Sequence, residues 1–197
     1  MMLGARMAAW SGKDLPYDAE VEYLESTGTQ WIDTGLLCSG SDEVVITVYI
    51  STVDNSGRWI YFGAGGNARV WATSGTCRFG GENQVSIRNK TIFESWNTIV
   101  LNETHVVLNG ETFNTSLGAF QGTSNLTSLI FRGNEMPVSV APSLKIASFS
   151  WRRNGDLTLD FIPVRLGNIG YMYDRVSGEF FGNQGTGAFI IGPDKTT

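Results

Sequence analysis

The residues that could do chemistry in this 197-residue chain are scattered, and their spacing narrows what they can do. Glycoside hydrolysis on a β-sandwich needs two carboxylates facing each other across the scissile bond, about 5 to 10 Å apart. On one strand that requirement reads as acids two apart, of the form E-x-D-x-x-E, and the chain has no such run. Asp18, Glu20 and Glu22 alternate, but they precede the core pattern and read as a solvated edge. Asp156 and Asp160 flank a hairpin and a bend at Pro163, where one of them is expected to pair with Arg165. The lone histidine, His105, stands beside Val106 and Val107 at an ordinary strand position, and one imidazole supplies no His-rich ligand set. Cys38 and Cys77 are far apart and match no metal spacing, which leaves both free thiols and a bridge open. No catalytic residue follows from this inventory, and no enzymatic activity is expected.

Binding chemistry has more to work with. A pyranose stacks its C–H face on an aromatic ring while amides, carboxylates and cations fix its hydroxyls. Trp59, Tyr61, Arg69 and Trp71 are the expected ligand-binding residues, with Trp31 and Asn67 as neighbours. The competing reading is that these rings fill a core. No cofactor is required. Calcium stays open as a ligand, because loop oxygens at Asp42, Asp54, Asn55 and Asp174 are of the right type although their spacing follows no known loop pattern. Four N-x-[ST] matches, at Asn89, Asn102, Asn114 and Asn125, read as turn and strand-face usage rather than as glycan acceptors.

The elements that must position these residues are strands. Val44, Ile46, Val48 and Ile50 alternate with Val45, Thr47, Tyr49 and Ser51, a period of two that marks a half-buried strand. Residues 59–64 are apolar on both faces, as a central strand would be, and Ser74-Gly75 joins two further strands in a hairpin. In residues 96–115, Asn109-Gly110 sits between alternating runs, and both central positions of a type I′ turn require the positive φ that Asn and Gly tolerate. Asn154-Gly155 makes a second hairpin, and Pro163 is expected to stop its second strand or mark an edge. Trp96, Ile99, Leu101, Phe161, Tyr171 and Phe181 are the expected core.

A chain of this length fits one all-β domain. Residues 1–14 form a short arm, ending in Ser11-Gly12-Lys13-Asp14, and residues 15–197 the domain. The formal charge of −5 argues against nucleic acid, which asks for a basic face; Arg152 and Arg153 read as solvated turn residues. No apolar run is long enough for a signal h-region or a membrane span, so synthesis in a cytosol without membrane insertion is expected.

Taken together, YLESTGTQWIDTG at 23–35, the meander at 96–111, LDFIPVR at 159–165 and GYMYDRVSGEFFGNQGTG from residue 170 resemble a group of concanavalin A-like or laminin-G-like jelly-roll proteins. Such sequences are frequent in gut bacteria and in their phages and prophages. The resemblance covers residues 17–194 and implies two packed antiparallel sheets whose first and last segments meet. It transfers no catalytic residue. By itself it implies no activity; together with the lack of an export signal, the acidic charge and the short arm, it leads to the expectation of a non-enzymatic lectin-like structural or adhesion protein of a phage or prophage particle (a decoration, fibre or receptor-binding component), with host-surface glycans as candidate ligands. The alternatives are a glycan-binding module of a gut bacterium and, third, a glycoside hydrolase-like enzyme. The arm would then contact the virion or further copies of the chain. Removing residues 1–14 is expected to leave circular dichroism and melting temperature unchanged while abolishing incorporation into a particle or collapsing an oligomer to monomers; unchanged assembly would refute a docking role.

Overall fold

A computed structural model describes residues 15–50, 59–64, 68–73, 76–79, 85–88, 94–102, 104–114, 125–133 and 144–196. The arm at 1–14 lies outside the described residues. Among them the chain contains strands and turns and no helix, so no helix is available to cross a membrane. Two antiparallel sheets form. The smaller has six strands in the order β3 (Ile32–Leu37), β12 (Thr127–Ile130), β5 (Trp59–Ala64), β6 (Ala68–Thr73), β7 (Thr76–Phe79), β8 (Val85–Arg88). The larger has eleven. Its path runs β11 (Glu111–Asn114), β10 (His105–Leu108), β9 (Ser95–Leu101), β4 (Asp42–Ile50), β13 (Leu144–Arg153), β14 (Asp156–Leu166), β15 (Ile169–Asp174), β16 (Phe180–Phe181). Off that path β1 (Ala19–Glu20) pairs with β14, and β2 (Leu24–Ser26) pairs with both β13 and β17 (Ile190–Ile191).

Parity along each strand decides what is buried. In β4, Val44, Ile46 and Val48 face the core while Val45, Thr47 and Tyr49 are half-exposed on the other side. Their partners in β9 follow suit, so Asn97, Ile99 and Leu101 go inward. The same parity turns Trp96 outward, where it is 44% exposed, which corrects its expected place in the core. Ile99, Leu101 and Phe161 are buried as expected, whereas Tyr171 and Phe181 are half-buried. Aromatic rings join the two sheets. Phe62 of β5 meets Phe149 and Trp151 of β13 at centroid distances of 5.6 and 5.8 Å, and tilted or edge-to-face contacts of this kind add to the area they bury.

Both Asn-Gly turns take the expected geometry, with positive φ at Asn109 and Gly110 and at Asn154 and Gly155. Asn109 also accepts from the Thr98 amide at 2.9 Å and donates to Asn97 at 3.0 Å, which clips the hairpin tip to β9.

Two expectations fail for reasons visible in the ladder. Pro163 does not end β14, which continues to Leu166 and pairs Pro163 with Met172. Its carbonyl accepts from Val21 at 3.0 Å. In an antiparallel ladder a residue's N and C=O point to the same neighbour, so the missing N–H falls past Phe161, where the pairing of β14 with β13 has stopped and the first segment takes over, and no ladder bond is lost. Arg153 is not a solvated turn residue. Its guanidinium donates to both oxygens of the buried Asp42 at 2.8 and 3.0 Å and to the Leu37 carbonyl at 2.5 Å. Arg165 pairs with Asp194 and Asp18 rather than with Asp156 or Asp160, and Asp160 takes Arg175 instead.

The first and last segments are stitched together by their main chains. Val21 bridges Asp194, β17 pairs with β2, and the amides of Glu22, Gly192 and Lys195 donate across to Pro193, Tyr23 and Glu20. Further along, Gln184 and Thr186 donate to the carbonyls of Trp31 and Thr29 at 2.8 and 3.1 Å. Side chains complete this clasp: Asn183 accepts from the amides of Trp31 and Gly185, and the buried Gln30 donates to the Thr186 carbonyl. Gly185 sits so close that a Cβ there would overlap the Thr29 carbonyl oxygen. Gly185→Ala is therefore expected to cost about 1 to 3 kcal/mol, read as a lowered midpoint in urea unfolding; an unchanged midpoint would mean the clasp contributes little to stability.

Candidate functional site

The sequence-predicted binding residues fall on neighbouring strands of the smaller sheet. Trp59 and Tyr61 belong to β5, Arg69 and Trp71 to β6, and the register pairs Trp59 with Ala72, Ile60 with Trp71, and Gly63 with Arg69. A register shift between Ile60 and Phe62 accommodates Tyr61. The backbone thus brings these four positions onto two adjacent strands. Their side chains lie outside the described residues, as do all atoms of Asn67, Asp54 and Asn55. Trp31 is elsewhere, in the clasp between the chain's first and last segments.

A different aromatic group is fully in view on the outward face of the larger sheet. Register alone aligns it: Glu25 of β2 pairs with Lys145 of β13, Lys145 with Tyr49 of β4, and Tyr49 with Trp96 of β9. All four share the parity opposite to the buried Leu24, Ile146, Val48 and Asn97. Tyr23 leans in from the edge. Its ring centroid lies 6.0 Å from that of Trp96, and Tyr49 meets Trp96 edge-to-face at 5.6 Å. The Lys145 ammonium sits over both tyrosines, 4.6 Å from the Tyr23 centroid and 5.2 Å from that of Tyr49, and 3.8 Å from a Glu25 oxygen.

Each such cation–π contact contributes about 0.5 to 1 kcal/mol where water still reaches it. Their main effect is to hold a long, flexible lysine in one place. The result is a platform with an exposed indole, two tyrosine rings, a positioned ammonium and a carboxylate. A sugar's C–H face can pack on Trp96 while the ammonium and carboxylate take its hydroxyls.

Sequence reasoning missed this group for two reasons. Closure of the sandwich by the chain's two ends suggests a core place for Trp96, although Ile99 and Leu101 set the opposite parity. Tyr23 and Lys145 reach Tyr49 only through pairings of strands far apart in sequence. The readable signal was Tyr49, which shares its face with Val45 and Thr47 rather than with the apolar Val44, Ile46 and Val48.

The remaining candidates have structural partners. Asp42 accepts from the Ser39 amide at 2.6 Å besides holding Arg153. Asp174 is buried and accepts from the amides of Asp160, Val176 and Ser177, pinning the β15–β16 turn. Among the described residues no group of three or more His, Cys, Asp or Glu side chains comes together. His105 stands half-buried in β10 with its ring nitrogens 3.1 Å from Asn102 and 3.0 Å from Thr104. Cys38 is buried and free, and burial pushes its thiol far up from the ordinary range, which disfavours the thiolate.

No protein-family model matches the sequence, and no curated protein matches it. Its fold does resemble the crystal structure of a candidate carbohydrate-binding protein from Bacteroides ovatus ATCC 8483, with a TM-score of 0.60 at 10% identity, over 90% of this chain. The chain spans 61% of that protein's length. At such identity the likeness establishes the all-β sandwich.

Two tryptophans separate surface from core. Trp96→Ala, which loses ring contacts with Tyr23 and Tyr49, is expected to cost about 1 kcal/mol, whereas Trp151→Ala should cost about 3 to 5 kcal/mol. Parallel guanidinium melts decide it; equal losses would contradict the parity that places Trp96 outside.

Proposed function

We propose that this chain is a lectin-like, non-enzymatic glycan-binding sandwich carried on a phage or prophage particle, where it contacts the host-cell surface. The observation that carries the glycan reading is the outward row of Trp96, Tyr49, Tyr23, Lys145 and Glu25. An exposed indole beside held polar groups is the arrangement a weakly bound sugar needs, and no packing requirement explains leaving Trp96 in water. The carbohydrate-binding description of the Bacteroides ovatus protein supports the same reading for this chain. The non-enzymatic reading is supported by the carboxylates that already serve the fold: Asp18, Asp42, Asp160 and Asp194 all pair with arginines, and Asp174 holds a turn.

The particle context rests on the resemblance of the sequence to jelly-roll proteins of phages and on the arm at 1–14. A free glycan-binding module of a gut bacterium is the second reading, favoured by the source of the structural neighbour. Detection of the protein in purified induced virions by immunoblot distinguishes the two.

Single-site binding to such a shallow platform is expected in the millimolar to micromolar range, made useful by many copies through effective concentration. A multimerised form on a glycan array should give signals that Trp96→Ala reduces at least about tenfold. If a Trp59→Ala, Trp71→Ala double variant loses the signal while Trp96→Ala keeps it, the site belongs on the smaller sheet. Silence of the wild-type multimer across the array sinks the glycan reading.

A further inference from the structure

The clasp between the chain's ends leaves a cleft of roughly 470 Å³ beside Trp31, within the size range of small-ligand sites. Most polar groups of the two loops are committed to each other. Thr29 donates to the Thr186 carbonyl at 2.8 Å, Gln30 accepts from the Thr27 amide at 2.8 Å, and Asn183 bonds Trp31, Gly185 and Gly187. Two donors that line the cleft are not. Arg132 holds its guanidinium carbon over the Trp31 ring, 5.6 Å from the centroid, and makes no hydrogen bond or ion pair among the described residues. The exposed Gln184 uses its backbone amide on Trp31, and its side-chain amide has no partner among the described residues.

Arg132 is placed there by an uncommon backbone. Phe131, just after β12, has φ +68°, a left-handed conformation that a bulky residue adopts at a cost of about 1 to 3 kcal/mol. Burial of its ring against Phe189, centroids 4.9 Å apart, fixes the turn. The turn delivers Arg132 to the rim of the cleft. With no partner among the described residues, Arg132 has its planar N–H fork free to match a carboxylate in two parallel hydrogen bonds.

The geometry points to a carboxylate-bearing sugar as the ligand of this cleft. The Arg132 fork takes the carboxylate, Gln184 a neighbouring hydroxyl, and the edge of Trp31 packs against the ring carbons. This site is separate from the Trp96 row and stands without it.

Titration of the full-length protein, followed by the Trp31 indole N–H and Arg132 Nε–H resonances, tests the assignment with three probes: galacturonic acid, galactose and sodium acetate. Galacturonic acid is expected to move both resonances and to bind at least about tenfold more tightly than either of the others, because galactose lacks the charge and acetate the hydroxyls and ring. Added salt should weaken it. Arg132→Lys keeps the charge but loses the fork and is expected to weaken binding about tenfold, and Arg132→Ala to abolish it, both with wild-type melting temperatures. Trp96→Ala should leave this titration unchanged, so failure here and failure of the aromatic row are told apart. Equal affinity for galactose, or an Arg132→Ala variant that binds as before, overturns the proposal. Acetate binding as tightly as galacturonic acid would reduce the cleft to a simple anion site and overturn its assignment to sugars.

Discussion

The structure depends on main-chain hydrogen bonding between segments that lie about as far apart in sequence as this chain allows. Closing so long a loop costs only slowly increasing entropy, but every contact made through it waits for that closure. Here the closure does more than seal an edge. It places β2 beside β13, which sets Glu25 opposite Lys145, and it brings Tyr23 to the rim of the aromatic row. The same stitching frames the cleft at Trp31. The cleft, and the Tyr23 and Glu25 side of the aromatic row, therefore take shape only once the ends have met.

Charge is organised around the same junction. Arg165 of β14 bonds both oxygens of Asp194 at 2.7 Å and approaches Asp18, while Lys195 meets Glu20. The Arg165 hydrogen bonds hold the Asp194 carboxyl below its ordinary range. A depressed folded-state value stabilises the ionised form above the unfolded value and loses that contribution as the pH falls through the folded one. These groups are exposed, so the linkage orders the junction more than it stabilises the domain. Nearby, Tyr17 packs over Ile162 and Val164, and burial, helped by its bond to Glu20, pushes its hydroxyl up to about 12. It therefore remains a neutral donor at all ordinary pH.

Local signals carried much of the architecture. The alternation at residues 42–50 and both Asn-Gly turns could be read directly, because strand parity and positive φ are properties of a few neighbouring residues. What failed depended on distant partners. Pro163 looked like a stop until the exchange of β13 for the first segment removed the need for its N–H. Arg153 looked solvated until β4 brought a buried carboxylate beneath it. The binding surface was legible only as a kind of residue. Aromatic content suggested rings, but which rings face water follows from cross-strand register, and Lys145 appears beside Tyr49 only when β13 and β4 are paired.

One consequence is mechanical. Because Val21 and Asp194 are bridge partners, the first and last described segments pass about 5 Å apart there, one strand spacing. That pairing is antiparallel, so both segments run on from it in the same direction, and a force drawing them apart would open their hydrogen bonds one at a time rather than all at once.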